Sequence, residues 1–235
     1  MNGDESNVSR GVSGLLLVDK PAGITSHDVV DVARRAFGER SIGHLGTLDP
    51  FATGLLVLLL GRATRLASFI ENEPKVYDAT IRFGEETDTG DPTGDVTRTA
   101  TLPSRQAVLD AIPSLTGNIR QVPPEFSAKK VSGAPAYRAA RAGESVVLAP
   151  TPVTVHAWRI ASFTESELNV SITCGGGTYI RALARDLGRV CDSAAHLTSL
   201  RRTRSGDFDV ADASTLDNLR STPLPRVRPL RIVAE

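Results

Sequence analysis

The chain has 235 residues, with 27 basic and 27 acidic side chains, so its formal charge is zero; 40% of its residues are hydrophobic. That size fits one large domain or two small ones with a real core. A neutral chain does not announce a polyanion binder, so any basic footprint must be local. Two cysteines, Cys174 and Cys191, are too few for a disulfide framework and lack metal-ligand spacing. They fit a reducing, intracellular setting. The longest apolar run, Leu55 to Leu60, is far short of the roughly 20 residues of a membrane helix. The polar start lacks a signal peptide's apolar stretch.

Gly14 to Val18 reads as a buried strand, followed by a turn at Lys20-Pro21-Ala22-Gly23. Thr25 and Asp28 form a capping-box pattern. Val29, Val32, Ala33, Ala36 and Phe37 then recur at helical spacing, with Gly38 as the stop. A polar loop with glycine punctuation spans Gly43 to Gly54 and leads into a buried strand, Leu55 to Leu60. Leu66, Ala67, Phe69 and Ile70 suggest a short helix. From Val76 to Phe83 the pattern alternates, with Tyr77, Ala79, Ile81 and Phe83 on one face, as in a half-buried strand.

Thr87 to Asp95 is rich in turn residues, and a helix is expected over Ser104 to Ile112. Pro123 to Ala134 reads as a loop, followed by a short basic helix around Tyr137, Arg138 and Arg141. Val153 to Ile160 and Glu167 to Cys174 read as a hairpin, which Gly175-Gly176-Gly177 ends. A helix is expected from Thr178, with Ile180, Leu183, Ala184 and Leu187 on its apolar stripe. A basic segment, Leu200 to Arg204, follows, and the tail beyond Thr222 looks irregular. The mixture is α+β, not a regular βαβ alternation.

Three features carry chemistry. Asp49 stands alone on its loop without an acidic neighbour to share a proton, so it can serve as base, nucleophile or helix cap. The triple glycine satisfies neither the dinucleotide nor the nucleoside-triphosphate phosphate pattern, and its plain reading is a tight turn. Arg181 falls in the first turn of a helix, where a cation opposes the helix dipole unless an anion is fixed nearby.

The stretch Gly43-His44-Leu45-Gly46-Thr47-Leu48-Asp49-Pro50-Phe51-Ala52-Thr53-Gly54 resembles the catalytic motif of the TruB family of tRNA pseudouridine synthases, which modify the T-loop uridine at position 55. Cys174 to Arg181 resembles that family's second active-site motif. Leu17 to Ser26, Lys75-Val76-Tyr77 with Thr87 to Asp91, Pro123 to Lys130 with Tyr137 to Arg141, and His196 to Arg202 resemble further family segments, in the family's order.

The resemblance implies a pseudouridine-synthase fold: a mixed, mostly antiparallel central sheet flanked by helices, with an RNA-binding insertion near residues 123–150. It implies an isomerase needing no cofactor or metal. Asp49 would be the nucleophile, Arg181 its partner, and Tyr77 part of the catalytic group and of the uracil pocket with Tyr179 and Leu200. His44 would hold the base flipped out. Lys20, Phe126 and Lys130 would contribute to substrate binding. The basic clusters Lys129, Lys130, Arg138, Arg141 and Arg201, Arg202, Arg204 would supply phosphate contacts. The expected partner is the T arm of tRNA, with no membrane, and the protein would act as a cytoplasmic monomer. The family's usual further RNA-binding domain would find no room before Glu235, giving a single catalytic domain over residues 1–235. A noncatalytic RNA-binding module or tRNA chaperone on the same fold is the alternative. A nucleotide-binding enzyme is disfavoured by the failed phosphate patterns.

Overall fold

The computed structural model describes residues 12–127 and 148–229, and the backbone alone at 130–131 and 134–135. A ten-stranded mixed sheet dominates. Its strands are β1 (Gly14–Lys20), β2 (Ile42–Leu45), β3 (Thr53–Leu60), β4 (Lys75–Phe83), β7 (Gly117–Gln121), β10 (Thr151–Phe163), β11 (Glu167–Cys174), β12 (Ala195–Ser205), β13 (Phe208–Asp209) and β14 (Ser214–Thr215). They run in the order β14-β1-β3-β12-β4-β11-β10-β7, with β2 on β3 and β13 on β12. Two hairpins lie outside it: β5 (Glu85–Thr87) with β6 (Val96–Thr99), and β8 (Lys130–Val131) with β9 (Ala134–Pro135). Most pairings are antiparallel, but β1 with β14 and β3 with β12 are parallel.

Helix α1 (Ser26–Phe37) opens on a capping box in which the Thr25 hydroxyl accepts from the Asp28 N–H and Asp28 accepts from the Thr25 N–H. Such a cap stabilises a helix by about 1 kcal/mol. Gly38 closes it in the left-handed region. Val29, Val30 and Ala33 of α1 pack on Leu16 and Val18 of β1 and Leu56 and Leu58 of β3. The opposite faces of these strands, Leu15, Leu17, Leu55, Val57 and Leu59, are buried against Leu45 and Ala63. Burial on both sides explains the unbroken apolar run of β3. The second half of the sheet buries β4 and β11 against α2 (Arg105–Ala111) and α3 (Ile180–Val190), through Val108, Leu183 and Leu187.

Several expectations are corrected. The segment before Ile70 is a 3₁₀ helix, Gly61–Phe69. His44 sits on the short strand β2 and not in a loop. The basic run at Leu200 lies inside the long strand β12, where Arg202 is fully buried. Helix α3 begins at Ile180, two residues later than expected. Over the described residues 223–229 the tail is irregular, apart from a bridge that returns Arg228 to Leu15. The basic helix expected around Tyr137 to Arg141 lies outside the described residues.

The parallel crossing of β3 and β12 requires Gly54. Its φ is +102°, and a Cβ there would collide with the Arg202 carbonyl oxygen, its register partner's own backbone.

Candidate active site

The loop between β2 and β3 presents Asp49 to a cleft of about 670 Å³, a volume in the usual range for a small-molecule site. Both shoulders of Asp49 are clamped. The Ser26 hydroxyl accepts from the Leu48 N–H at 2.9 Å and donates to the Leu48 carbonyl at 3.1 Å. The Pro50 carbonyl accepts from the Gly23 N–H at 2.8 Å and from Lys20 Nζ at 3.2 Å. The carboxylate is thereby preorganised, its side chain 32% exposed toward the cleft.

Arg181 meets it from the first turn of α3. Nε donates to Asp49 Oδ2 at 2.9 Å and Nη2 to Oδ1 at 3.0 Å, a bidentate pair. Nη1 donates to the Thr89 carbonyl at 2.6 Å, and Nη2 also donates to the Phe126 carbonyl at 2.8 Å. The Arg181 side chain is only 4% exposed. A buried charge is tolerable when its donors are met this fully. Asp91 Oδ2 lies 4.0 Å from Nη1, and Asp91 Oδ1 accepts from the Thr93 N–H and the Thr89 hydroxyl, which shapes the turn that offers the Thr89 carbonyl.

The start of α3 has no side-chain cap of its own. Gln121, buried on β7, supplies the fixing: its Oε1 accepts from the Tyr179 N–H at 2.8 Å and its Nε2 donates to the Tyr179 carbonyl at 3.1 Å. This places the Tyr179 ring on the cleft wall.

Tyr77, Leu200 and His44 complete the wall. Burial holds the Tyr77 phenol above its ordinary 10.0, against the opposing pull of Arg202, so it is a proton donor near neutrality. His44 is held below its ordinary 6.5 by burial and by Arg202, and its Nδ1 is buried with no partner among the described residues. A neutral imidazole with a vacant nitrogen is suited to a polar ligand atom.

Asp49, Arg181, Tyr77, Tyr179, Leu200 and His44 therefore converge, although the chain separates Asp49 from Arg181 by 132 residues. Phe126 also joins the cleft, offering its carbonyl to Arg181. Lys20 does not reach the cleft wall. It is wholly buried, and its ammonium donates to the carbonyls of Pro21, Ile24 and Pro50. Only the backbone of Lys130 is described, and Lys129, Arg138 and Arg141 lie outside the described residues. Arg201 forms a bidentate pair with Asp19, at 2.9 and 2.7 Å. Sequence reasoning missed Lys75 and Gln121 as site residues and misplaced Arg202 at the surface. All three lie in strands in phase with the apolar face, but a polar side chain there is ordinarily read as solvated whatever its phase. Among the described residues no helix is long and apolar enough to cross a membrane, and no His, Cys, Asp or Glu cluster could hold a metal ion.

Comparison with known proteins gives the family. Residues 34–180 match the model of the TruB family pseudouridylate synthase N-terminal domain, and residues 181–224 that of the tRNA pseudouridylate synthase B C-terminal domain. The chain is 49% identical over 216 residues to tRNA pseudouridine synthase B of Paenarthrobacter aurescens, covering 88% of this chain and 70% of that protein. Identity to the synonymous protein of Thermobifida fusca is also 49% over 216 residues, covering 88% and 74%. Among solved structures, a Cbf5-Nop10-Gar1 complex matches with a TM-score of 0.67 and 27% identity over 87% of this chain. An archaeal box H/ACA sRNP Nop10-Cbf5 complex matches with 0.64 and 25% over 88%. The chain spans about half of those solved chains, 53% and 52%. Fold and relatives together define a pseudouridine synthase. The chain belongs to the TruB family of pseudouridylate synthases.

Proposed function

We propose that the protein isomerises the T-loop uridine of tRNA, at position 55, to pseudouridine, as a monomer in the cytoplasm. The reading is carried by the bidentate Asp49–Arg181 pair at a cleft walled by Tyr77, Tyr179 and Leu200. Two free cysteines and relatives named as tRNA-modifying enzymes support the setting and the substrate class.

The reaction breaks the C1′–N1 bond and makes a C1′–C5 bond. The product has the same atoms as the substrate: C5 loses a hydrogen and N1 gains one, so no oxidant or group donor is consumed. The target base is stacked in folded RNA and must leave that stack. The walls of Tyr77, Tyr179 and Leu200 receive it and keep the detached ring from escaping while it turns. His44 occupies the cleft from β2 with its vacant nitrogen and holds the flipped conformation. Asp49 attacks as a carboxylate nucleophile. Arg181 fixes the plane of that carboxylate by two bonds and is itself fixed by two carbonyls. Lys20 acts one step away, holding the Pro50 carbonyl beside the nucleophile.

The test is release of tritium from T-arm RNA labelled at uracil C5, with purified protein and no additions. Catalytic release is expected. RNA binding without release would favour a noncatalytic tRNA chaperone on the same fold.

A further inference from the structure

The cleft holds two cations to which this chemistry assigns no ligand. Lys75, the first residue of β4, and Arg202, in β12, converge on Gly46. A Cβ on Gly46 would stand 3.3 Å from Arg202 Nη1 and 3.5 Å from Lys75 Cε. Gly46 has φ +78°, so the point where the two cations meet holds no side chain. Both line the cleft, with Arg202 fully buried and Lys75 9% exposed.

Their protein partners do not use them up. Arg202 donates from Nε to the Leu55 carbonyl at 2.7 Å and from Nη2 to the Gly46 carbonyl at 3.0 Å, and it also bears on the neutral Tyr77 phenol. Lys75 donates to Asn72 Oδ1 at 3.1 Å. Among the described residues neither forms an ion pair, whereas Arg181 and Arg201 each hold a carboxylate. Glu73 acts on Lys75 only from beyond ion-pair distance. Two like charges buried side by side with no carboxylate in ion-pair contact are unfavourable, and removal from water makes them more so. Burial lowers the proton affinity of Lys75, Glu73 opposes that shift and Arg202 adds to it; an anion between the two cations would favour the charged form of both.

We propose that Lys75 and Arg202 form a phosphodiester subsite for the RNA backbone beside the flipped uridine. A ring carbonyl of the base is neutral and would compensate neither charge, whereas a phosphodiester carries a full negative charge. A flipped nucleotide brings its flanking phosphates with it, and the planar guanidinium with a neighbouring ammonium suits their oxygens. The subsite rests on the reading of the cleft as a uridine site.

The experiment measures binding of a T-arm stem-loop to the full chain across a salt series, for the native protein, Lys75→Met and Lys75→Arg. Arg202 is left in place because its bonds to Leu55 and Gly46 hold the sheet together. RNAs with a single methylphosphonate on either side of the target uridine are compared. Lys75→Met should bind about 3- to 10-fold more weakly, with a slope of log affinity against log salt shallower by about 0.7. Lys75→Arg should retain native binding. One methylphosphonate RNA should bind the native protein correspondingly weakly and lose nothing further with Lys75→Met. An unchanged slope, or losses that add for both flanking phosphates, overturns the subsite. So does a loss confined to kcat with binding intact, which would place the cations on the departing uracil anion. If the native protein neither binds the RNA nor releases tritium, the uridine-site reading itself falls.

Discussion

A carboxamide at position 49 would keep the size of the side chain and one acceptor for Arg181, yet an amide oxygen is a very poor nucleophile. Asp49→Asn should therefore lower turnover by about 10⁴-fold or more while RNA binding stays near native. Residual tritium release of more than a few per cent would remove Asp49 from the nucleophile's role. Arg181→Lys keeps the charge but offers a point donor on a flexible stem where a planar fork now engages Asp49, Thr89 and Phe126. A small displacement of the carboxylate is enough for a fall of about 10²-fold in kcat. Native turnover in this variant would show that the paired geometry is dispensable. His44 supplies a pH signature. Its proton affinity is lowered in the folded protein, so its contribution to stability is present above pH 6.5 and is lost as pH falls through its depressed folded value. Urea unfolding at pH 7.5 and 5.5 should show a larger acid loss for the native protein than for His44→Gln. Equal losses would contradict a His44 that is neutral in the fold.

Among elements, the β5–β6 hairpin depends on one buried carboxylate. Glu86 accepts from Arg98 at 2.9 Å and from Arg189, near the end of α3, at 2.7 Å. Burial opposes its charge, but the bonds from Arg189 and Arg98 hold it below the ordinary 4.5. The pair joins the hairpin whose turn carries Thr89 to the helix that carries Arg181. Glu86→Gln should cost about 1–3 kcal/mol in urea unfolding at neutral pH and lower turnover several-fold. That difference should shrink as pH falls from 4.5 through the depressed folded value, where the native carboxylate takes up its proton. An unchanged turnover would mean that the Thr89 turn holds its place without the tether.

The same elements show what was legible beforehand. β1, α1 with its caps, β4 and the β10–β11 hairpin announce themselves because each displays one period and a local stop signal. β12 hides because Arg201-Arg202-Thr203-Arg204 resembles a solvated run, and the carbonyls that satisfy Arg202 come from distant residues, Leu55 and Gly46. β2 hides because Gly43 and Gly46 mimic a turn. The start of α3 was misjudged because its fixing comes from Gln121, 58 residues away. The meeting of Asp49 with Arg181 could be expected from family resemblance alone, since no local pattern spans that separation.

For the whole molecule, the cleft joins a loop of the first half of the sheet to a helix of the second. A ligand that binds there engages only the native arrangement and so stabilises it. With Asp49→Asn to prevent turnover, T-arm RNA at 100 times its Kd should raise stability by about 2.7 kcal/mol, read as an increase in Tm. An RNA lacking the target loop should give a smaller rise, and equal rises would point to nonspecific backbone binding.

The parallel pairing of β3 with β12 has a kinetic corollary. Thr53 meets Arg201 and Gly54 meets Arg202 only after a loop of well over a hundred residues has closed, and such closures are slow because chain entropy is lost before contacts compensate it. The single tryptophan, Trp158, belongs instead to the β10–β11 hairpin, whose strands are near neighbours along the chain. On dilution from denaturant, Trp158 fluorescence can thus recover with a local event, while tritium release waits for this long-range closure. Enzymatic activity should return no faster than fluorescence, and catalytic competence in this chain is a reporter of its long-range topology.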